Sequence, residues 1–341
     1  MDRIRIGTRG SKLALEQAAL VQAALSQTAS SVETEIVIVH TKGDRIQDKS
    51  LTQIGEKGVF ASELEQALLE GLIDVAVHSA KDLPMTLARG LGIAAVLPRG
   101  DVRDVLVIPK GGRLPAPAAG GRNEGIYSDA CTSLIGEQVR RGEAGKVFRI
   151  GSGSRRRRLL SGRLWESVTC EEIRGNVDTR LRKLQEGGYD GIILAKAGLD
   201  RLGIGREENG CEGSGGSDGG AAFLFCPLAP EVFLPAACQG IIAVETVQDS
   251  GAETLCRRIT DAETQLCFQV EREVLTQLAA DCSEAAAAWC RQEQDRLVLD
   301  AMYAGRTVSL SGRVDLQEGK RLAVEAAKLL RTQPDEGNRE V

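Results

Sequence analysis

Two short polar groups in this chain have the residue types needed for electrostatic or acid–base work on an anionic molecule. The first lies in Asp74-Val-Ala-Val-His-Ser-Ala-Lys-Asp-Leu-Pro84, which puts Ser79, Lys81 and Asp82 just past an apolar run of strand type. Ligands of open α/β sheets bind outside the carboxyl ends of the strands, so a carboxylate there can steady a developing cation or move a proton. Lys81 would keep Asp82 ionised and meet a substrate anion. A plain turn, with Asp82 as a local cap before Pro84, explains the same residues. The second group is Gly151-Ser-Gly-Ser-Arg-Arg-Arg-Arg158. Stacked arginines at a helix start oppose the helix dipole, and an arrangement so unfavourable locally suggests a bound polyanion. Between Lys146 and Lys183 stand eleven Lys/Arg against four Asp/Glu, in a chain of net charge −5, so the positive charge is local.

Two further junctions have the same grammar, a strand running into a helix through an arginine. They are Thr8-Arg9-Gly10-Ser11 and Arg174-Gly175-Asn176 through Arg180. Gly55-Glu-Lys57-Gly58 offers a lysine in a similar setting. Each has a simpler explanation: Ser11 as an N-cap, 55–58 as a solvated turn, the arginines as solvated helix faces. Their recurrence is the argument, because guanidinium groups suit carboxylate or phosphate and several together suit a ligand carrying many such groups.

The elements that must position these residues alternate. Strand patterns at Arg3 to Gly7, Glu35 to His40 and Asp74 to His78 are separated by helix patterns at Ser11 to Gln27 and Phe60 to Leu69, and an apolar run follows at Leu91 to Leu97. This βαβ order predicts a mostly parallel sheet. A second series predicts strands near 147–151, 167–171 and 190–195 with helices near 155–162 and 177–186. After Pro235 come a strand at Ile241 to Glu245 and a helix near 252–258. From Asp261 the pattern changes to a helix over about 261–278, short alternating strands near 285–290, 296–303 and 306–314, and a helix around 319–331, which predicts a small α+β domain. Residues 110–145 and the Gly/Ser/acidic stretch 205–220 read as loop insertions.

Composition narrows the classes. The 341 residues suffice for two or three domains with real cores, and no run approaches the roughly 18 apolar residues of a membrane helix. The N-terminal Met-Asp-Arg-Ile-Arg-Ile lacks the apolar core of a secretory signal, so a cytoplasmic protein is expected. Nine cysteines without a Cys-x-x-Cys pair, and only two histidines, suggest neither a zinc site nor a disulfide framework, and most of the thiols are expected to be buried small hydrophobes. An acidic chain with 3% aromatics argues against nucleic-acid binding.

Seven ordered blocks make the chain resemble the porphobilinogen deaminase (hydroxymethylbilane synthase) family. They are Thr8-Arg-Gly-Ser11, Gly55-Glu-Lys-Gly-Val-Phe60, His78-Ser-Ala-Lys-Asp-Leu-Pro84, Gly151-Ser-Gly-Ser154 with Arg156-Arg157, Arg174-Gly-Asn176 through Arg180, Ala197-Gly-Leu-Asp-Arg-Leu-Gly203 and Pro235-Ala-Ala-Cys-Gln-Gly240. The resemblance implies an α/β fold: two domains like those of periplasmic binding proteins, with mostly parallel or mixed sheets, flank a cleft, and a small α+β C-terminal domain carries an antiparallel sheet. The implied division is 1–99 with 241–259, then 100–240, then 260–341.

The implied activity is head-to-tail condensation of four porphobilinogen molecules into hydroxymethylbilane by a monomer, with loss of ammonia, on a covalent dipyrromethane cofactor. The thioether to that cofactor falls on Cys282. Here Ala280-Asp281 precede the cysteine where the family usually has two glycines, and Ser283-Glu284-Ala285 follow it. Glycine gives such a loop conformational freedom that alanine and aspartate lack. The cofactor is expected to meet Asp44, Lys81, Asp82, Ser152, Ser154, Arg156, Arg157 and Arg180. Arg9, Ser11, Lys57, Phe60, Ser79, Arg174, Arg180, Arg201 and Gln239 are expected on the substrate side, and Asp82 matches the catalytic carboxylate. Gln53 stands where many relatives have a second lysine, and Arg155 and Arg158 are left as helix-surface charges. The alternative is a paralogue or polycarboxylate-binding protein that kept the cleft without the cofactor.

Overall fold

The computed structural model describes residues 3–28, 32–40, 62–118, 126–127, 147–205, 222–280 and 284–332. In the first body, β1 (Arg3–Thr8), α1 (Lys12–Thr28), β2 (Glu33–Ile38), α2 (Ser62–Leu69), β3 (Val75–Ser79) and β4 (Leu91–Val96) are joined by β10 (Ile242–Val247), which returns from later in the chain. The sheet order is β2-β1-β3-β10-β4, with β10 antiparallel to both neighbours and β1 parallel to β2 and β3. Helix α1 buries Ala14, Gln17, Ala18, Val21 and Leu25, one face at helical spacing. Ala18, Val21 and Leu25 pack on Ile4, Ile6, Val75 and Val77 of the sheet.

The second body repeats that plan. Strands β5 (Asp104–Pro109), β6 (Phe148–Gly151), β7 (Val168–Glu171), β8 (Gly191–Ala195) and β9 (Phe223–Pro227) are ordered β7-β6-β8-β5-β9, and β5 is the antiparallel member. Helices α3 (Arg155–Leu164), α4 (Val177–Gln185) and α5 (Lys196–Arg201) follow β6, β7 and β8. The fourth place in each sheet is thus filled by the first strand the chain makes after crossing over. The sequence carries no internal repeat, so the duplication is one of topology alone. Sequence patterns did not anticipate β5 and β9, two short apolar runs beside the insertions that periodicity cannot separate from other buried segments.

The expected small C-terminal unit follows α6 (Gly251–Cys256). Helix α7 (Ala262–Leu278) leads to the antiparallel meander β11 (Ala286–Glu293), β12 (Arg296–Tyr303) and β13 (Arg306–Arg313), then α8 (Leu316–Thr332). Val270, Val274 and Leu278 of α7 and Leu322, Ala326 and Leu330 of α8 bury one sheet face with Leu297 and Leu299. Ala287 and Met302 of the other face join the core of the second body.

The two chain crossings run side by side. Gly100 N–H donates to Gly240 O at 3.1 Å, Arg99 Nε to Gln239 O at 2.9 Å and Gln239 Nε2 to Val102 O at 2.8 Å. Gly240 has φ +89° and a Cβ there would lie 2.6 Å from Gly100 O, so both backbone angle and space demand glycine. Of the described cysteines, 226, 238, 256, 267 and 290 are buried, as expected of small apolar residues, and Cys170 is half-buried.

Candidate functional site

Between the two larger sheets lies a cavity of about 470 Å³. Its floor is the turn after β3, where the chain winds through one 3-10 turn, Ala80–Asp82, stapled by Ala80 N–H to Ile241 O at 3.0 Å. That turn holds Lys81 half-buried and turns the exposed Asp82 carboxylate into the cavity. No hydrogen bond or ion pair to Asp82 is made among the described residues, so the reading of it as a local turn cap does not hold. Ser79 is engaged by Gln17 of α1, which donates at 2.9 Å and accepts at 3.2 Å. Burial pushes the Lys81 ammonium down to about 8, against the opposing pull of Asp82 and Asp104.

The opposite wall is the start of α3. Ser154 caps that helix, its Oγ accepting from Arg157 N–H at 3.4 Å, and it borders the cavity. Ser152 sits behind the wall, buried, its hydroxyl accepting from Ser154 N–H at 3.3 Å. Arg156 and Arg157 line the cavity yet are only 3% and 7% exposed. Both are paired with one carboxylate: Arg156 Nη2 is 2.8 Å from Asp104 Oδ2, and Arg157 Nη2 is 2.7 Å from Oδ1. The counter-anion that the arginine run calls for is therefore supplied in part by the chain itself, and a bound polyanion is not the whole explanation of that run. Burial works against ionising Asp104, but Arg156, Arg157 and Lys81 outweigh it and hold its carboxyl well below the usual carboxylate range. Arg155 is exposed, and Arg158 donates to Ser152 O at 3.0 Å.

The remaining cations ring the cavity at helix starts and at the crossing. Arg9 and Ser11 reach it from the β1–α1 junction, where Ser11 Oγ also accepts from Ala14 N–H at 3.3 Å, as the N-cap reading expects. Arg174 is paired with Glu172 at 2.8 Å. Arg180 Nε donates to Gly175 O at 2.8 Å and Arg201 Nη2 to Gly240 O at 2.5 Å. Burial lowers both Arg180 and Arg201 to about 10, which leaves them charged at neutral pH. Gln239, fully buried, accepts from Lys81 Nζ at 3.4 Å and donates to Asp104 Oδ1 at 3.1 Å. Asp44, Lys57, Phe60 and Cys282 lie outside the described residues.

Eight Lys/Arg side chains and four carboxylates, Asp82, Glu172, Asp178 and Glu284, line this one cavity, and the sequence that supplies them matches a known family. The family described as "Porphobilinogen deaminase, dipyromethane cofactor binding domain" covers residues 4–255. Porphobilinogen deaminase of Acetivibrio thermocellus is 35% identical over 95% of this chain and 97% of its own length. This chain belongs to the porphobilinogen deaminase family. Further relatives are the Streptococcus sanguinis porphobilinogen deaminase, 35% identical over 97% of this chain and 96% of its own, and a probable porphobilinogen deaminase of Archaeoglobus fulgidus, 36% identical over 96% and 98%.

The family's cofactor fits the residues present. A dipyrromethane bearing acetate and propionate groups is a polycarboxylate, and the cavity lining holds eight Lys/Arg against four carboxylates, with the buried Asp104 beside it. Arg156 in addition keeps a buried Nε–H without an acceptor among the described residues. Two residues of this site escape a sequence reading. Gln17 looks like any polar position on a helix, although its place on the buried face is a signal, and Asp104 looks like a strand boundary, although it opens a run of four aliphatic residues with no turn residue beside it.

Helix α7 ends at Leu278, ahead of Cys282, the expected attachment residue, which lies outside the described residues. Ala279 ends the helix in the left-handed conformation, φ 49°, and Ala280 N–H donates to Leu275 O at 3.0 Å. Ala280 has no positive φ, and its methyl group is buried in the core of the small unit. At this one position the backbone is one that alanine adopts without strain.

Proposed function

We propose that this cleft carries out the family's condensation with Asp82 as its catalytic carboxylate. Membership of the family makes the protein a transferase of tetrapyrrole biosynthesis, which joins four porphobilinogen molecules head to tail into hydroxymethylbilane and releases ammonia. The observation that carries the assignment of Asp82 is its exposed carboxylate beside Lys81, in a cation-lined cavity and without a hydrogen-bond or ion-pair partner among the described residues.

Each porphobilinogen brings an acetate and a propionate. Arg9, Arg174, Arg180 and Arg201 bind these groups on the incoming unit and the lengthening chain, with Ser11, Ser79, Lys57, Phe60 and Gln239 in support. Lys81, Ser152, Ser154, Arg156, Arg157, Arg180 and Asp44 hold the cofactor, whose thioether is formed by Cys282. Ser152 sits behind the wall and supports Ser154 in that role. The dipyrromethane supplies the pyrrole carbon on which the chain is started. Loss of ammonia from the aminomethyl group leaves a cationic pyrrole, and Asp82 stabilises that charge at the ring nitrogens until the new carbon–carbon bond forms and the displaced ring proton departs. The chain divides for this purpose into 1–99 with 241–259, 100–240 and 260–341, and it acts as a cytoplasmic monomer on a small water-soluble substrate.

Intact-mass measurement after reconstitution with porphobilinogen tests the reading. The wild-type protein should gain a covalent dipyrromethane and colour with an aldehyde reagent for pyrroles, and Cys282→Ser should do neither. An unmodified wild-type mass would establish a binding protein without the primer instead.

A further inference from the structure

Asp104 opens β5 at the level of the chain crossings and is fully buried. Its Oδ1 accepts from Arg157 Nη2 at 2.7 Å, from Arg157 Nε at 3.2 Å and from Gln239 Nε2 at 3.1 Å, and its Oδ2 faces Arg156 Nη2 at 2.8 Å. Each guanidinium is also held from a second side: Arg157 Nη1 donates to Ile193 O at 2.7 Å and Arg156 Nη1 to Leu234 O at 2.7 Å. Gln239 carries the connection onward, since its Oε1 accepts from Lys81 Nζ at 3.4 Å. One carboxylate of the second sheet therefore touches two cavity-lining arginines directly and reaches the lysine of the first sheet through a single amide.

We propose that Asp104 is a positioning residue of the condensation: its buried carboxylate aims Arg156 and Arg157 at the ligand's carboxylates and, through Gln239, fixes the Lys81 ammonium beside Asp82. This rests on the reading of the cleft given above. Three cations this close would otherwise repel one another and turn their side chains away. With one buried anion among them the wall keeps a positive excess for the ligand while the side chains stay in one arrangement, and fixed groups lose no freedom when the ligand binds. The charges facing Lys81 are Asp82 on its own turn, Arg156 and Arg157 on α3 and Asp104 on β5. Asp82 in turn faces Arg180 on α4. Removing the Asp104 charge leaves Asp82 alone to oppose burial and the two arginines, so the Lys81 ammonium should lose its proton at lower pH.

The experiment compares wild type, Asp104→Asn and Gln239→Leu, the last leaving both arginine ion pairs intact and removing the amide that joins Asp104 to Lys81 and that also donates to Val102 O. Competitive acetylation of Lys81 across pH, read by peptide mass, follows the lysine without turnover. The wild-type midpoint should lie near 8. It should fall by roughly one unit in Asp104→Asn and by less in Gln239→Leu. In steady-state assays with porphobilinogen, the alkaline limb of kcat should move with the midpoint. For Asp104→Asn kcat should fall on the order of tenfold to a hundredfold and KM should rise, because misaligned clamps lose ligand binding as well as rate. Asp104→Glu should restore part of both. A merely structural Asp104 predicts a lower melting temperature with the midpoint and the pH profile of wild type, and that result overturns the proposal. Should Asp104→Asn not fold, an unmoved midpoint in Gln239→Leu overturns it equally. Wild-type protein that takes up no dipyrromethane while the midpoints shift as stated would sink the functional reading and leave the placement of Lys81 by Asp104 standing.

Discussion

Two buried arginine–carboxylate systems flank the chain crossings, and they differ in balance. In one, Glu271 of α7 takes Arg99 Nη1 on Oε1 at 2.6 Å and Arg99 Nη2 on Oε2 at 3.2 Å. The same oxygens accept Cys290 N–H at 2.7 Å and Cys238 N–H at 2.5 Å. Charge is neutral, both oxygens are doubly used, and the result joins the crossing segments to the small C-terminal sheet. In the other, one carboxylate serves two guanidiniums at the cavity wall, and Arg156 keeps an Nε–H without an acceptor among the described residues. A satisfied, neutral pair acts as a joint. An unbalanced one, built from the same groups, leaves positive potential for a ligand.

The largest effect is expected at the joint. Glu271→Gln turns an acceptor into a donor against Arg99 and two backbone N–H groups, and breaking such a buried pair costs about 3–5 kcal/mol. Urea unfolding should register that loss, and an unchanged midpoint would break the contrast between the two pairs. Asp82→Asn tests the reverse case. Its carboxylate has no partner among the described residues, so the melting temperature should hold while kcat falls on the order of a hundredfold or more. A large loss of stability with little loss of turnover would show that Asp82 belongs with the structural groups.

pH sharpens the contrast further. Lys81 is lowered from 10.5 to about 8, so between those values the unfolded chain binds the extra proton and Lys81 makes folding more favourable as pH rises. Lys81→Met should therefore remove a rise in stability between about pH 8 and 10.5, visible in melting curves, that no variant of the joint removes. The smallest effect belongs to the C-terminal end of α7. Ala279 sits at φ 49°, and Ala279→Gly should stabilise by roughly 0.5–1 kcal/mol in denaturant titration without altering kcat.

The first sheet is legible in the sequence because its strands alternate with long amphipathic helices, and α1 shows its buried face at the expected spacing. The small C-terminal unit is legible for the same reason. Strands β5 and β9 are not, since a short run such as Val105 to Ile108 carries no period that tells strand from other buried segment. Among site residues, Ser79, Lys81, Asp82, Arg9, Arg180, Arg201 and Gln239 are all brought to one cavity from blocks visible in the sequence. Ser152 stands behind that cavity, and Gln17 joins it unannounced.

The sequence by itself determined which residues are cationic, where they stand relative to strand ends, and the family whose chemistry needs them, because these depend on local pattern and on motif order. Tertiary structure alone decided what each charge is for. Arg157 meets Asp104 from 53 positions away and Arg99 meets Glu271 from 172. No local pattern encodes such pairings, since the worth of a charge is set by burial and by the partner that the crossing of two sheets brings within reach.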